Sequence, residues 1–234
     1  MPIRLIGLLC GTALLMSAPG ALAADPFDVS IRVEGKARTL VKERKVTLAD
    51  APIIKDGNPE HSCNGQAAIG ALQAGTGGDW TGSWFEGLGY TADEIKGVNP
   101  SPAYFELWVN HKLSSTGLCD ADLERGDDVL MFVQDCEYVP ALEGCRSPVT
   151  PLGVRVAKII KRNTVRTIRI VDYAANGRTT PEPGATVFVN GKKLGRTNRQ
   201  GEIRVKGTKL GVATIYAKDT GHARSETARV RIVQ

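Results

Sequence analysis

The chain has 234 residues, 42% hydrophobic and 24% charged, with a formal net charge of +5 and 5 cysteines. After residue 23 no apolar run approaches the roughly 20 residues that cross a bilayer as a helix, which excludes a helical integral membrane protein once that segment is removed. About 210 residues then remain, which suits one large domain or two small ones.

Residues 1–23 have the form of a secretory signal. Arg4 supplies the charge, "LIGLLCGTALLM" the apolar run, and "SAPGALA" a small-residue cleavage site ending at Ala23. The mature protein is expected to begin at Ala24 and to be secreted, with association at the cell surface left open; Cys10 is lost with the leader. Four cysteines then remain: Cys63, Cys119, Cys136 and Cys145. An even count in an exported chain reads as a disulfide framework, with three connectivities to choose from. "CEYVPALEGC" can loop back through its proline and glycine, so Cys136–Cys145 is the expected local bridge and Cys63–Cys119 follows by elimination. In the loop-entropy picture the short bridge contributes up to about 3 kcal/mol and the long one up to about 4 kcal/mol.

The first domain is expected over residues 24–160. "FDVSIRVEG" alternates apolar and polar residues, and with "RTLVKERKVTLAD" it predicts a hairpin turning at 35–37. "APIIKDGNPEHSC" reads as loop. "NGQAAIGALQAG" predicts a helix with Asn64 as N-cap, Gly75 as stop, and a thin stripe of Ala67, Ala68, Ala71, Leu72 and Ala74 that lets it lie close to a sheet. "GTGGDWTGSWFEGLGYTADEIKG" is glycine-rich but aromatic, and reads as an ordered loop. Tyr104 to Val109 predicts a strand, Asn110-His111 a tight turn with positive φ, and "VLMFV" after "LERGDD" a further strand. Together these predict a small α+β domain, one helix on a sheet.

The ordered set "VEG", "HSC…AAIGAL", "GGDWTGSW", "WVNHK…STGLCD" and "LERGDDVLMFV" resembles a domain of unknown function in bacterial surface and secreted proteins. That family is related to the C-terminal β-grasp domain of the transcobalamin and intrinsic-factor carriers. The resemblance covers about residues 27–134. It implies a β-grasp-like fold, soluble-ligand binding, and a Cys63–Cys119 pair. His111 departs from the pattern, standing where the turn usually has glycine. No α/α-barrel precedes the domain, so vitamin B12 binding is not carried over.

Charge changes sign near "VAKIIKRNTV". Residues 24–160 hold 13 Lys and Arg against 20 Asp and Glu, whereas residues 161–234 hold 16 against 5. The second domain is placed at 161–234. "TVRTIRIVD", "GATVFVNGKKLGRTNRQGEIRVKG", "VATIYAKD" and "TARVRIV" are short strands around an Asn-Gly turn, an all-β pattern that predicts a β-sandwich. With Thr197-Asn198-Arg199-Gln200-Gly201 preceding a strand, this part resembles the carboxypeptidase-regulatory-like and immunoglobulin-like modules of exported proteins. The resemblance implies an accessory or spacer role.

Candidate sites follow from residue types. His61, Cys63, His111 and Cys119 have none of the paired spacing of a zinc site, and in an oxidising compartment the cysteines are expected to bond to each other. Asp120, Asp122, Glu124, Asp127 and Asp128 lack the glycine and glutamate positions of an EF-hand, and read as turn residues with Gly126 taking the awkward backbone angle. No nucleophile elbow, zinc-protease helix or phosphate loop is present. The expectation is therefore no catalysis, no metal and no cofactor.

Trp80, Trp84 and Trp108 cluster with Tyr104. Two of the tryptophans are expected to be buried in the core, Trp84 being the best ligand contact at the edge of 79–85. Trp80, Trp84, Tyr104 and Trp108 form the candidate ligand-binding set, for a soluble ligand or an envelope component of unnamed identity. The alternative is a structural surface protein or adhesin whose basic second domain contacts an anionic envelope polymer, or else docks on the acidic first domain. Nucleic acid is not expected as a partner.

Overall fold

The structure, a computed structural model, describes residues 25–139 and 144–234. The leader and Cys10 lie outside the described residues. The first unit opens with β1 (Phe27–Glu34) and β2 (Thr39–Leu48), followed by the short β3 (Pro52–Ile53) and β4 (Cys63–Asn64). Then come α1 (Ala68–Thr76), β5 (Trp80–Phe85), β6 (Gly89–Ile95), β7 (Tyr104–Val109), β8 (Lys112–Leu113) and β9 (Asp128–Gln134). The main sheet has the order β2-β1-β9-β7-β8. The β1–β2 hairpin is antiparallel, β9 inserts parallel to β1 with Val33 opposite Met131, and β7 pairs antiparallel with β9.

Strand parity divides this sheet into two buried faces. Val29, Ile31 and Val33 of β1, Phe105 and Leu107 of β7, and Val129, Met131 and Val133 of β9 pack under the helix. The opposite parity puts Arg32, Glu34, Trp108, Leu130, Phe132 and Gln134 on the other face, also buried. That face is covered by the second unit. The continuous apolar run of β9 is what a strand enclosed on both sides requires.

The helix differs from its sequence expectation at both ends. Asn64 lies in β4, and its carboxamide accepts from the Gln66 N–H instead of capping the helix. Ala67 is the N-cap and has no side-chain bond to give. The orphan N–H groups of Ala68 and Ile69 are instead met by the carbonyls of Ala121 and Leu118, each at 2.9 Å. Gly75 does not stop the helix but sits inside it, where a Cβ would come within 2.6 Å of Ile31 Cγ2. The stop is Gly77 in the left-handed region at φ 67°, with Gly78 N–H on the Gln73 carbonyl. Ala74 faces solvent; the rest of the stripe, Ala67, Ala68, Ala71 and Leu72, is buried, together with Ile69 and Gly75.

Residues 79–95 also depart from expectation. They form a β5–β6 hairpin with Trp84 opposite Tyr90, not a loop. The glycines that suggested a loop include the tight end of that hairpin, where Gly87 and Gly89 take φ 76° and 77°.

After a hairpin of β10 (Glu137–Val139) and β11 (Gly144–Arg146), the second unit runs through β12 (Thr150–Arg155), β13 (Ile159–Lys161), β14 (Val165–Tyr173) and β15 (Thr179–Pro181). It continues with β16 (Thr186–Val189), β17 (Lys192–Arg196), β18 (Glu202–Lys206), β19 (Gly211–Lys218), β20 (His222–Ala223) and β21 (Ala228–Val233). One sheet has the order β15-β14-β12-β20 with β18 also on β14, and the other β13-β21-β19-β16-β17. Leu152, Ile168 and Ile170 from the first meet Ile160, Val187, Ile215 and Val230 from the second, the layered core of a β-sandwich. Because β12 pairs with β14 and β13 with β21, the second set of sheets starts at Thr150, before the charge changes sign.

The two units are packed together. Trp108, Leu130 and Phe132 of the first meet Val171, Tyr173 and Ala223 of the second. Beside this apolar seam, Glu34 accepts from Arg32 Nη1 at 3.0 Å and from Arg224 Nη1 at 2.7 Å, and Arg32 reaches the Arg224 carbonyl at 2.6 Å. Gln134 brackets the backbone of Val149, accepting at 2.7 Å and donating at 3.0 Å. His111 stacks on Tyr173, with centroids 4.3 Å apart. That contact explains why the turn carries an imidazole where glycine would strain less.

Candidate functional site

Cys63 and Cys119 are bonded to each other, with Cα atoms 5.1 Å apart. The bridge ties β4 to the segment whose carbonyls cap the helix, so "GLCDAD" is scaffold. Cys136 is also disulfide-bonded; the side chain of Cys145, its expected partner, lies outside the described residues. Of the carboxylates that follow Cys119, Asp127 closes a turn and Asp128 bonds across to the neighbouring strand. Asp127 accepts from Glu124 N–H and from Asn110 Nδ2, each at 2.7 Å, Asp128 accepts from Ser30 Oγ, and Gly126 takes φ 90°.

His61 lies by the bridge, but in a closed arrangement. Its Nδ1 bonds to Asp56, its Nε2 faces Asn58 Nδ2 at 3.2 Å, and its ring stacks on Trp84 with centroids 4.4 Å apart. Tyr90 donates to the other Asp56 oxygen at 2.7 Å. Hydrogen bonds from His61 and then Tyr90 hold the Asp56 carboxyl down to about 2. An Asp–His pair can orient a general base, yet here the second nitrogen meets an amide and the neighbouring sulfur is oxidised. His111 is on the far side of the sheet, so the paper set of two histidines and two cysteines does not form.

The four aromatic candidates do not converge. Trp80 is buried, its Nε1 donating to Gln73 at 2.8 Å and Lys55 Nζ lying 4.5 Å from its ring. Desolvation there lowers the Lys55 pKa. Trp108 is buried in the seam between the units, with its Nε1 on Glu106. Trp84 is half-buried, with one face closed by His61. Tyr104 is exposed at the start of β7, apart from the others. Burial of two tryptophans agrees with the sequence reading; a shared stacking face does not form among these rings.

A different aromatic surface does. In the sheet β13-β21-β19-β16-β17, Val187, Ile215 and Ala217 point into the sandwich, so Phe188 and Tyr216 point out. They are directly paired across β16 and β19, and their rings stack at 4.9 Å with 4° between planes. Lys218 Nζ lies 5.5 Å from the Phe188 ring and 5.7 Å from that of Tyr216. The same parity brings out Lys193, opposite Phe188, and Arg196, opposite Thr186. It also brings out Arg229 and Arg231, opposite Thr214 and Val212. These four cations are exposed and have no carboxylate partner among the described residues. Two mutually stacked, half-buried rings among these cations leave ring surface for a sugar or other planar ring, while the cations attract negative charge over a distance.

The face runs into a cleft of about 430 Å³ at the junction of the units. Tyr216, Lys218 and Arg229 line one wall and Arg32, Lys42 and Glu43 the other. Sequence reading found the basic density but not these rings, because it looked for aromatics only where they cluster in the chain. The signal was present: "TVFV" and "ATIYAK" each place one ring at the outward parity of an otherwise inward-apolar strand.

A second cluster lies on the same unit. Asp172, Glu182 and His222 bring ligand-type atoms within 4.8 Å of one another, the one such group of three or more among the described residues. Burial pushes the Glu182 carboxyl up, with His222 opposing and Asp172 and Asp219 reinforcing.

No family model matches the chain, and no curated protein matches it; the carrier-type resemblance thus has no counterpart among them. Among solved structures, a provisionally assigned metal-binding protein from Ruminococcus gnavus aligns at 9% identity over 47% of this chain and 99% of its own, with a TM-score of 0.34. The CARDB domain of the PF1109 protein from Pyrococcus furiosus, solved in complex with di-metal ions, aligns at 13% identity over 36% of this chain and 87% of its own, with a TM-score of 0.26.

Proposed function

We propose that this is an exported, non-catalytic binding protein that holds an anionic polysaccharide of the cell envelope on the outer face of its second unit. The observation that carries the reading is the Phe188–Tyr216 pair, two rings stacked on each other on a sheet face whose own outward charged residues are cations, with Glu34 and Glu43 across the adjoining cleft. Stacked rings suit the apolar faces of sugars, and the surrounding Lys and Arg suit phosphate, carboxylate or sulfate along a polymer. Export is supported by the form of residues 1–23 and by a disulfide that an oxidising compartment preserves. No helix among the described residues is long and apolar enough to cross a membrane.

The first unit serves as the rigid partner. Its order β2-β1-β9-β7-β8, with a parallel central pair and a helix laid across one face, supports a β-grasp-like reading. A second reading, a soluble ligand near β5–β6, is favoured by one observation: Trp84 Nε1 is buried without a hydrogen-bond partner.

The test is binding to a defined polyuronate and to a purified teichoic acid across a salt series. The proposal expects retention at low salt, release as salt rises, and about fivefold weaker binding for Phe188→Ala or Tyr216→Ala, in line with about 1 kcal/mol for an aromatic contact. Equal binding by both variants and the unchanged protein would sink it.

A further inference from the structure

Three segments distant in the chain bring two carboxylates and an imidazole to one place on the second unit. Asp172 lies near the end of β14, Glu182 just past β15, and His222 at the start of β20. His222 Nε2 is 3.5 Å from Glu182 Oε2 and 3.7 Å from Asp172 Oδ1.

The other side of the imidazole fixes its state. His222 Nδ1 is 3.1 Å from the Thr220 carbonyl. A carbonyl only accepts, so Nδ1 carries its hydrogen and Nε2 turns toward the carboxylates. Asp172 Oδ1 is moreover shut off from solvent and has no hydrogen-bond donor. Two carboxylates and an imidazole nitrogen therefore converge around a buried oxygen that no protein group satisfies, an arrangement that costs free energy unless a cation fills it.

The donor set, two carboxylates and an imidazole within 4.8 Å of one another, narrows the cation's class. A zinc-like ion bound at about 2.0–2.2 Å sets tetrahedral neighbours about 3.3–3.6 Å apart, close to the two separations His222 makes. Calcium, which takes 6–8 oxygens and seldom nitrogen, fits this donor set poorly.

We propose that Asp172, Glu182 and His222 form a binding site for a first-row divalent cation of the zinc type. The Nδ1–Thr220 bond is the outer contact that presents Nε2 as a ligand. The three ligands come from β14, the end of β15 and β20, strands of one sheet of the sandwich. His222, Ala223 and Arg224 also line a cleft against Glu34 and Asp135 of the first unit, so the site lies next to the seam between the units. This site is independent of the polysaccharide face.

The full chain, stripped with chelator and dialysed, is titrated with zinc chloride by calorimetry, with metal content read by mass spectrometry. The proposal expects a single equivalent per chain and a midpoint of thermal unfolding raised by several degrees at saturation. His222→Ala should weaken binding by about 100-fold or more. His61→Ala and His111→Ala should leave it unchanged. If His222→Ala is poorly folded, His222→Gln takes its place, and cadmium resonance in the unchanged protein reports one nitrogen and several oxygens as ligands. Sub-stoichiometric uptake, preference for calcium, or undiminished binding by the His222 variants would overturn the proposal.

Discussion

Glu34→Gln is the sharpest perturbation of the seam. Glu34 is 3% exposed and accepts from Arg32 of its own strand, from Arg224 of the second unit and from Thr39. Gln keeps the shape and one acceptor oxygen but removes the charge. Two guanidinium groups then face each other around a neutral amide. Breaking a buried ion pair from one side costs about 3–5 kcal/mol, and the retained oxygen argues for the lower end, about 3 kcal/mol. Urea unfolding of the oxidised protein, followed by tryptophan emission, reads this directly, since Trp108 lies in the seam. Combining it with Arg224→Met should give a coupling of about 1–3 kcal/mol in a double-mutant cycle. A loss under about 1 kcal/mol, or strict additivity, would refute the view that this network holds the units together.

Other outcomes follow from single contacts. Cys63→Ala with Cys119→Ala opens a bridge of sequence separation 56 and should lower stability by up to about 4 kcal/mol in denaturant titration, with the same helix retained in circular dichroism. The Asp56 carboxyl is depressed from 3.8 to about 2, so its stabilisation is present above its unfolded value and lost as pH falls through about 2. Asp56→Asn should therefore unfold more easily than the unchanged protein at pH 6, and the two curves should converge as pH falls from 4 to 2. His111→Gly relieves a φ of 63° but deletes the stack on Tyr173; a net loss of about 1 kcal/mol is expected, and a gain would show that the stack contributes nothing.

Much of the local structure was legible because it is written in short-range chemistry. Alternation in "FDVSIRV" marks β1, and Asn110-His111 and Asn190-Gly191 both take the positive φ values their residue types allow. Other features depended on distant partners. The helix start could not be read from Asn64, because the groups that cap it are backbone carbonyls more than forty residues away, and backbone carbonyls have no residue signature. The β5–β6 hairpin was obscured by glycines that serve its turn. Strand pairing of Thr150–Arg155 with β14 overrode the change in charge as the start of the second set of sheets. Docking of the units was half visible. An unbroken "VLMFV" says that both faces of β9 are covered, but not by what. The stacked pair on the second unit required register, since Phe188 and Tyr216 meet only after β16 and β19 align.

The most direct measurement is amide chemical-shift mapping of the full chain against a short oligouronate. Binding on the sheet face predicts that the largest shifts fall on Thr186–Val189, Lys193, Thr214–Lys218 and Arg229–Arg231, and vanish in Tyr216→Ala. Shifts gathered instead around Trp80–Tyr90 and Tyr104, with the second unit silent, would contradict it.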